Sequence, residues 1–289
     1  MKKDIKSILL NRKLNTSKSD YGHVFVIAGS LGMSGAAYLT AQSALLSGSG
    51  LVTLGTPGSL NTILSRKFVE VMTRPLSETK NGSLSIKAFK KIEKFIKIRK
   101  VNVLAVGPGL SQNKQTCVLV RKIISKINLP MIVDADGLNA LVGHLNLLQN
   151  TNYKLHNTVI TPHPGEMARL LGKTVSEIQR NRKDIAKRIA SKYNITVVLK
   201  GHHTVIADSL GHCHINKTGN PGMATAGCGD VLTGIIASFI GQGMDVFKAA
   251  KTGVYIHGLA GDMAEKEVGQ ASLTATALLN KIPKAILSL

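Results

Sequence analysis

Apolar residues along this chain keep two rhythms in turn. Short continuous runs at residues 23–28, 51–54, 101–106, 131–134, 158–161 and 195–199 have the length and β-branched content of strands covered on both faces. A further strand is predicted at residues 69–73. Between the runs the apolar positions recur at helical spacing, over residues 33–46, 84–97, 113–127, 167–171, 175–193, 231–240, 244–267 and 272–287. In the first of these Tyr38, Ala41, Ala44 and Leu45 share one face. The last is predicted to be interrupted at Pro283, which lacks an N–H and crowds the preceding turn. Residues 204–207 and 212–215, separated by Asp208-Ser-Leu-Gly211, predict a hairpin. Strands alternating with helices imply one α/β domain with a mainly parallel central sheet flanked by helices. Residues 1–20 read as a basic lead-in and residues 21–289 as the domain, without repeats, low-complexity tracts or linkers.

The polar interruptions follow a pattern of their own. Several predicted strands run straight into a turn: Gly29-Ser-Leu-Gly32, Gly107-Pro-Gly-Leu110, Asp134-Ala-Asp136-Gly-Leu-Asn139, Pro162-His163-Pro-Gly165-Glu166 and Lys200-Gly-His-His-Thr204. In a parallel sheet such turns gather at the carboxyl ends of the strands, where ligands bind. The most specific stretch is Asn220-Pro-Gly-Met-Ala-Thr-Ala-Gly-Cys-Gly-Asp230, directly before the helix that carries Val231, Leu232, Ile235, Ile236, Phe239 and Ile240. A small-residue loop feeding a helix N-terminus offers unpaired amides and the positive end of the helix dipole to an anion. Asp230 places one carboxylate at the mouth of that site. Amides that hold a moving phosphoryl group, beside an acid that removes a hydroxyl proton, suit phosphoryl transfer to an alcohol. The bland alternative is a glycine turn followed by an Asp cap. For Asp136 the cap reading is preferred, whereas Asp134 is the better candidate for a polar or metal-bearing site.

Composition limits the classes. A 289-residue chain with 44% hydrophobic residues can bury a sizeable core and is not disordered. The formal charge of +21 would attract nucleic acid, a membrane surface or an anionic nucleotide. The cations are mostly Lys in amphipathic segments such as Lys87-Ala-Phe-Lys-Lys-Ile-Glu-Lys-Phe-Ile-Lys97, without interleaved aromatics, and read as a solvated surface with no specific nucleic-acid partner. Cys117, Cys213 and Cys228 are odd in number and lack metal spacing, which fits a reducing, cytoplasmic setting. Residues 8–10 are too short an apolar core for a signal sequence, and no run reaches membrane-spanning length. His202, His203, His212, Cys213 and His214 invite a zinc site, but neighbouring strand residues point to opposite faces, which disfavours it.

The run at residues 220–232 resembles the N-x-G-M-A-T-G-G-T-G-D-V-L signature of the NAD(P)HX dehydratase family, the ADP/ATP-dependent NAD(P)H-hydrate dehydratases of the ribokinase-like superfamily. Ala226 and Cys228 stand where that signature usually has Gly and Thr, which keeps the amide at 228 but removes a hydroxyl donor. Further blocks are similar in order: Gly29-Ser30 with Gly35-Ala36-Ala37, Gly107-Pro-Gly-Leu110, Val133-Asp-Ala-Asp-Gly-Leu-Asn139, Thr161-Pro-His-Pro-Gly-Glu166, Leu199-Lys-Gly-His-His-Thr204 and His257-Gly-Leu-Ala-Gly-Asp262. The resemblance extends from about residue 22 to 280. It implies a ribokinase-like domain, with Asp230 as the catalytic base and Ala36, Gly109, His163 and Asp230 against the substrate. It implies Lys200, Gly201, His202, His203, Thr204 and Gly229 against the nucleotide, and an anion hole at Gly227, Cys228 and Gly229. Glu166 would steer Mg²⁺ through water, and the closing 257–262 block would pack against the nucleotide side. Taken singly, His163 and Glu166 also read as a surface His and a first-turn Glu favoured by the helix dipole, and Gly35-Ala36-Ala37 as close helix-to-strand packing.

The activity so implied is dehydration of NADHX or NADPHX to NADH or NADPH, with ADP, or alternatively ATP, as phosphoryl donor and Mg²⁺ as cofactor. A homo-oligomer, tetrameric in bacterial relatives, and no membrane partner complete the expectation. The runner-up is a small-molecule kinase of the same fold, of the hydroxymethylpyrimidine or thiazole type, which would release a stable phosphorylated product. A basic nucleic-acid-binding protein with a vestigial site is the third reading.

Overall fold

Nine strands make one sheet in the order β3-β2-β1-β4-β5-β6-β7-β8-β9. They are β1 (His23–Ile27), β2 (Leu51–Pro57), β3 (Met72–Leu76), β4 (Val103–Val106), β5 (Met131–Val133), β6 (Thr158–Ile160), β7 (Thr196–Leu199), β8 (Val205–Ala207) and β9 (Cys213–Ile215). This computed structural model describes residues 9, 10, 12, 14–149 and 157–289. Residues 1–8, 11 and 13, half of the predicted lead-in, lie outside the described residues. The first seven strands pair in parallel, and the predicted hairpin adds β8 and β9 antiparallel at one edge. The chain leaves β1 toward β2 and β3, then returns to lay β4 on the other side of β1. This reversal opens a crevice at the carboxyl ends of β1 and β4.

Alternation within the strands divides the core. Val24, Val26, Val103, Ala105, Ile132 and Val198 pack on one face, under α1 (Ser34–Leu46), α2 (Gly58–Lys67), α9 (Cys228–Gly241), α10 (Val246–Val268) and α11 (Ala275–Leu287). Phe25, Ile27, Leu104, Val106, Val133 and Leu199 pack on the other. There they meet α3 (Ala88–Arg99), α4 (Lys114–Lys126), α6 (Pro164–Leu171), α7 (Val175–Arg180) and α8 (Arg182–Tyr193). The remaining short helix, α5 (Asp136–Asn139), follows β5 directly. Helices on both faces explain why the strands read as unbroken apolar runs.

Four local expectations are corrected. The sequence pattern missed α2, whose apolar content is slight: Leu60 and Leu64 are buried while Ile63 is exposed. Strand β3 lies three residues later than predicted and contains Pro75, which an edge strand tolerates because one side of its backbone has no partner. The helix expected over 175–193 is two helices, broken at Asn181 (φ −129°, ψ 33°). Helix α11 continues through Pro283, held by Leu278, Leu279, Ile282, Ala285 and Ile286, all buried on either side of it. No helix among the described residues is long and apolar enough to cross a membrane.

Candidate active site

Five strand-end turns lie side by side and are tied to one another. Gly29 N–H donates to Pro108 O (2.9 Å), and Ser30 Oγ donates to Gly109 O (2.8 Å). A Cβ placed on Gly109 would sit 3.0 Å from Ala36 Cβ and 2.9 Å from Met33 Cβ. Ala36 and Gly109, drawn from separate sequence blocks, are therefore neighbours, and glycine permits their approach. Asp136 does not cap its own helix: its Oδ2 accepts from Ser111 N–H (2.8 Å), and its Oδ1 accepts from Asn139 Nδ2 (3.1 Å). The preferred cap reading gives way to a staple between the turns after β4 and β5. Lys200 N–H donates to Pro162 O (2.8 Å), joining the turns after β6 and β7.

The centre of the site is Asp134, which is 1% exposed. Lys200 Nζ donates to its Oδ1 (2.8 Å), and Thr233 Oγ1, one helical turn beyond Asp230 on α9, donates to its Oδ2 (2.7 Å). The same ammonium stands 3.8 Å from Glu166 Oε2. Gly229 lies against this group, since a Cβ there would be 3.3 Å from Lys200 Nζ and 3.9 Å from Asp134 Oδ2. Burial alone would lower the Lys200 pKa, but Asp134, Glu166 and Asp230 together outweigh it and raise it, so the cation persists. Asp230 is pushed up to about 7, first by burial and then by the Asp134 charge, with Lys200 opposing and Glu166 and Asp136 adding to the rise. An acid poised near neutrality at a cleft suits a general base.

Helix α9 begins at Gly227 (φ 91°), with no side-chain cap. Its first intrahelical bond runs from Val231 N–H to Gly227 O (3.1 Å), so the amides of Cys228, Gly229 and Asp230 have no acceptor within the helix. Amides without an intrahelical acceptor thus reach one residue beyond the 227–229 stretch expected to form an anion hole, to Asp230 itself. Nearly the whole helix behind this end is buried, and at Gly234 its backbone touches Thr40 and Ser43 of α1. Leu39 of α1 and Ala275 crowd Gly227.

The 257–262 block does more than pack. Burial drives His257 down to about 4, so it is neutral, and its Nε2–H donates to Cys228 O (2.8 Å). Asp262 accepts from Gly219 N–H (3.0 Å) and from Asn220 Nδ2 (3.1 Å), which fixes the start of the signature loop. The Cys228 thiol, raised by burial to about 11, stays protonated.

His163 and Glu166 form a reciprocal cap on α6. Nδ1 of His163 accepts from Gly165 N–H (3.0 Å) and Glu166 N–H (3.3 Å), and Glu166 Oε2 accepts from His163 N–H (2.7 Å). Burial lowers the His163 pKa, and with Nδ1 accepting two amides the hydrogen of the half-exposed ring sits on Nε2, 3.6 Å from Glu166 Oε1. His202 and His203 stack with ring centroids 3.8 Å apart, and Thr204 Oγ1 donates to Gly201 O (3.0 Å). His212 instead bonds Asp208, Nδ1 to Oδ2 (2.7 Å).

No group of three or more His, Cys, Asp or Glu side chains that could hold a metal ion occurs among the described residues. The acidic surplus around Lys200, felt in the raised Asp230, nevertheless fits a hydrated divalent cation held chiefly by phosphate oxygens. Sequence reading missed Thr233 and Arg182, and gave Asp262 only a packing role within the 257–262 block; Thr233 carried a signal in its i+3 spacing from Asp230.

The family described as NAD(P)H-hydrate dehydratase matches residues 24–284. A bifunctional NAD(P)H-hydrate repair enzyme from Moorella thermoacetica is 45% identical over 284 residues, covering 98% of this chain and 53% of the relative. The chain thus spans about half the length of that curated relative. Among solved structures, a ribokinase-like superfamily protein from Enterococcus faecalis superposes with a TM-score of 0.82 at 25% identity, covering 100% of this chain and 94% of that one. An ADP/ATP-dependent NAD(P)H-hydrate dehydratase from Bacillus subtilis, co-crystallized with ATP/Mg²⁺, gives 0.80 at 28% identity, covering 100% and 97%.

Proposed function

The chain belongs to the NAD(P)H-hydrate dehydratase family, and from that premise we propose that it restores hydrated NADH and NADPH to their normal reduced forms at the expense of a nucleotide. The observation that carries the proposal is the pairing at the start of α9: three amides without a partner among the described residues and, in the same turn, a carboxyl group held near pKa 7. A base for a hydroxyl and a cradle for a phosphoryl group are what this chemistry requires.

In the proposed reaction the hydroxyl of the hydrated ring lies beside Ala36 and Gly109, with His163 Nε2–H donating to the substrate. Asp230 takes the hydroxyl proton as that oxygen bonds to the terminal phosphorus of ADP or ATP, and the bridging P–O bond to the nucleotide breaks. Amides of Cys228, Gly229 and Asp230 stabilise the charge on the transferring group. The ring C–O bond then breaks, phosphate departs, and the adjacent ring carbon loses a proton to restore the double bond. Lys200 and Thr233 hold the Asp134 carboxylate in place by hydrogen bonds, and after burial its charge is the next cause that raises Asp230 toward a base working near neutral pH. Mg²⁺, held by nucleotide phosphates and by Glu166 through water, would supply charge neutralisation on the phosphate oxygens when bound. Lys200 and the turn from Gly201 to Thr204 would hold the nucleotide. The reading includes a homo-oligomer, as the resemblance implies, in the cytoplasmic setting that the cysteine usage fits.

The test is recovery of the reduced-nicotinamide absorbance from hydrated NADH, run in parallel with ADP and ATP. Release of free phosphate with NADH is the expected outcome. A stable phosphorylated product would return the chain to the small-molecule kinase reading, whereas the relationship to dehydratases supports the first.

A further inference from the structure

Arg182 occupies a place that local preference disfavours. It is the first residue of α8, where the positive end of the helix dipole repels a cation, and the Asn181 cap gives that end no side-chain bond. No carboxylate partners its guanidinium among the described residues. Its donors instead go to three backbone carbonyls of one turn. Nη2 donates to Leu199 O (2.9 Å) and Lys200 O (3.2 Å), and Nη1 donates to His202 O. The break at Asn181 is what lets α8 begin here, with its first side chain beneath the turn after β7.

Every peptide bond in this turn is trans, so the N–H following each bound carbonyl points away from Arg182. The first peptide verifies the rule: Leu199 O faces Arg182 while Lys200 N–H faces Pro162 O (2.8 Å). The next cases are Gly201 N–H, opposite Lys200 O, and His203 N–H, opposite His202 O. Neither amide has an acceptor among the described residues, and both residues are exposed. Gly201 (φ 135°) and His203 (φ 56°) adopt left-handed backbone, and a Cβ on Gly201 would lie 3.1 Å from Arg182 Nη2. Outward amides on either side of His202 in one turn make a concavity suited to an anion.

We propose that Arg182 is a positioning residue for the nucleotide: it turns the amides of Gly201 and His203 outward to receive the anionic oxygens of the phosphoryl donor. The guanidinium does not touch the ligand. It acts through three peptide groups, which it aligns and polarises. The inference rests on the nucleotide-dependent reading above.

Arg182→Gln and Arg182→Lys test it, with nucleotide binding measured directly by calorimetry using ADP and ATP, and kinetics measured with hydrated NADH. Losing charge-assisted bonds should raise the nucleotide Kd and KM at least about tenfold in Arg182→Gln. Under the proposal, kcat and the KM for hydrated NADH stay near wild type, and Arg182→Lys recovers part of the loss. A folded variant that binds ADP and ATP like wild type overturns the proposal, as does a uniform fall in kcat with both KM values raised. If Arg182→Gln does not fold, Arg182→Lys decides on the same readings. Failure of both to fold assigns Arg182 a purely structural role and overturns the proposal. A wild-type chain that binds neither nucleotide sinks the nucleotide reading itself, and this inference with it.

Discussion

Helices α6 and α9 start at the same edge of the sheet, and each carries an acid at its third position, Glu166 in one and Asp230 in the other. In α6 the acid reaches back to the amide of His163, and His163 in return takes two amides of the first turn. That helix end is closed by its own side chains. Helix α9 starts at Gly227, which has no side chain to reciprocate, and three amides stay open. Asp230, with no amide to receive among the described residues, is driven up to about 7 by burial and then by the carboxylates around it. Two helix starts with an acid at the same position therefore end differently: His163, extended at φ −80° and ψ 167°, closes its end, whereas Gly227, left-handed at φ 91° and ψ −17°, leaves the other open. The residue at the cap position decides which.

Removing the acid that α9 leaves free should have the largest effect. Asp230→Asn is expected to lower kcat by about a thousandfold while the fold is retained. Wild-type kcat/KM should rise through an apparent pKa near 7, since only the ionised acid accepts the hydroxyl proton. The same shift has a sign for stability. The folded chain holds the Asp230 proton up to about 7 and the unfolded chain only to about 3.8. Its contribution is thus complete below the unfolded value and disappears as pH rises through the folded one. Asn keeps it, so the thermal stability of Asp230→Asn should match wild type at acid pH. Above neutrality it should exceed wild type by about 4 kcal/mol, the whole shift at about 1.4 kcal/mol per pKa unit. An Asp230→Asn variant with near-native kcat would remove Asp230 from the proposed role.

Distorting the open end should come next. Gly227→Ala puts a Cβ 2.5 Å from Leu39 Cδ1 in a backbone conformation with φ 91°. A loss of about 1–3 kcal/mol in denaturant unfolding is expected, together with a fall in kcat of roughly tenfold. Unchanged kinetics would mean that the position of the loop is immaterial. Opening the closed end should matter least: His163→Ala exposes the α6 amides and should cost about 1 kcal/mol of stability. It should raise the KM for the hydrated substrate more than it lowers kcat. A larger effect on kcat than Gly227→Ala produces would reverse the ranking of the two ends.

Most of the turns that build the site were legible because each is local. A glycine closing a strand, as at Gly29 and Gly107, or opening a helix, as at Gly227, is written within a few consecutive residues. Helix α2 was not legible because two buried leucines make a weak face, nor was the break at Asn181, because apolar spacing continues across it. Asp134 stood out in the sequence as a strand-end acid. That it lies beneath Lys200 and Thr233, 66 and 99 residues away, did not.

By itself the sequence determined the α/β alternation, the strand-end turns and the bare helix start, because hydrophobic period and glycine content act within a few residues. Tertiary structure alone decided which turns meet, that Asp136 staples rather than caps, and that Arg182 grips a distant turn. It also decided that Asp230 is an acid raised toward neutrality rather than a cap. That last outcome depends on burial and on the charges of Asp134, Glu166 and Asp136, and electrostatic energy is set by distance through space, which no spacing along the chain records.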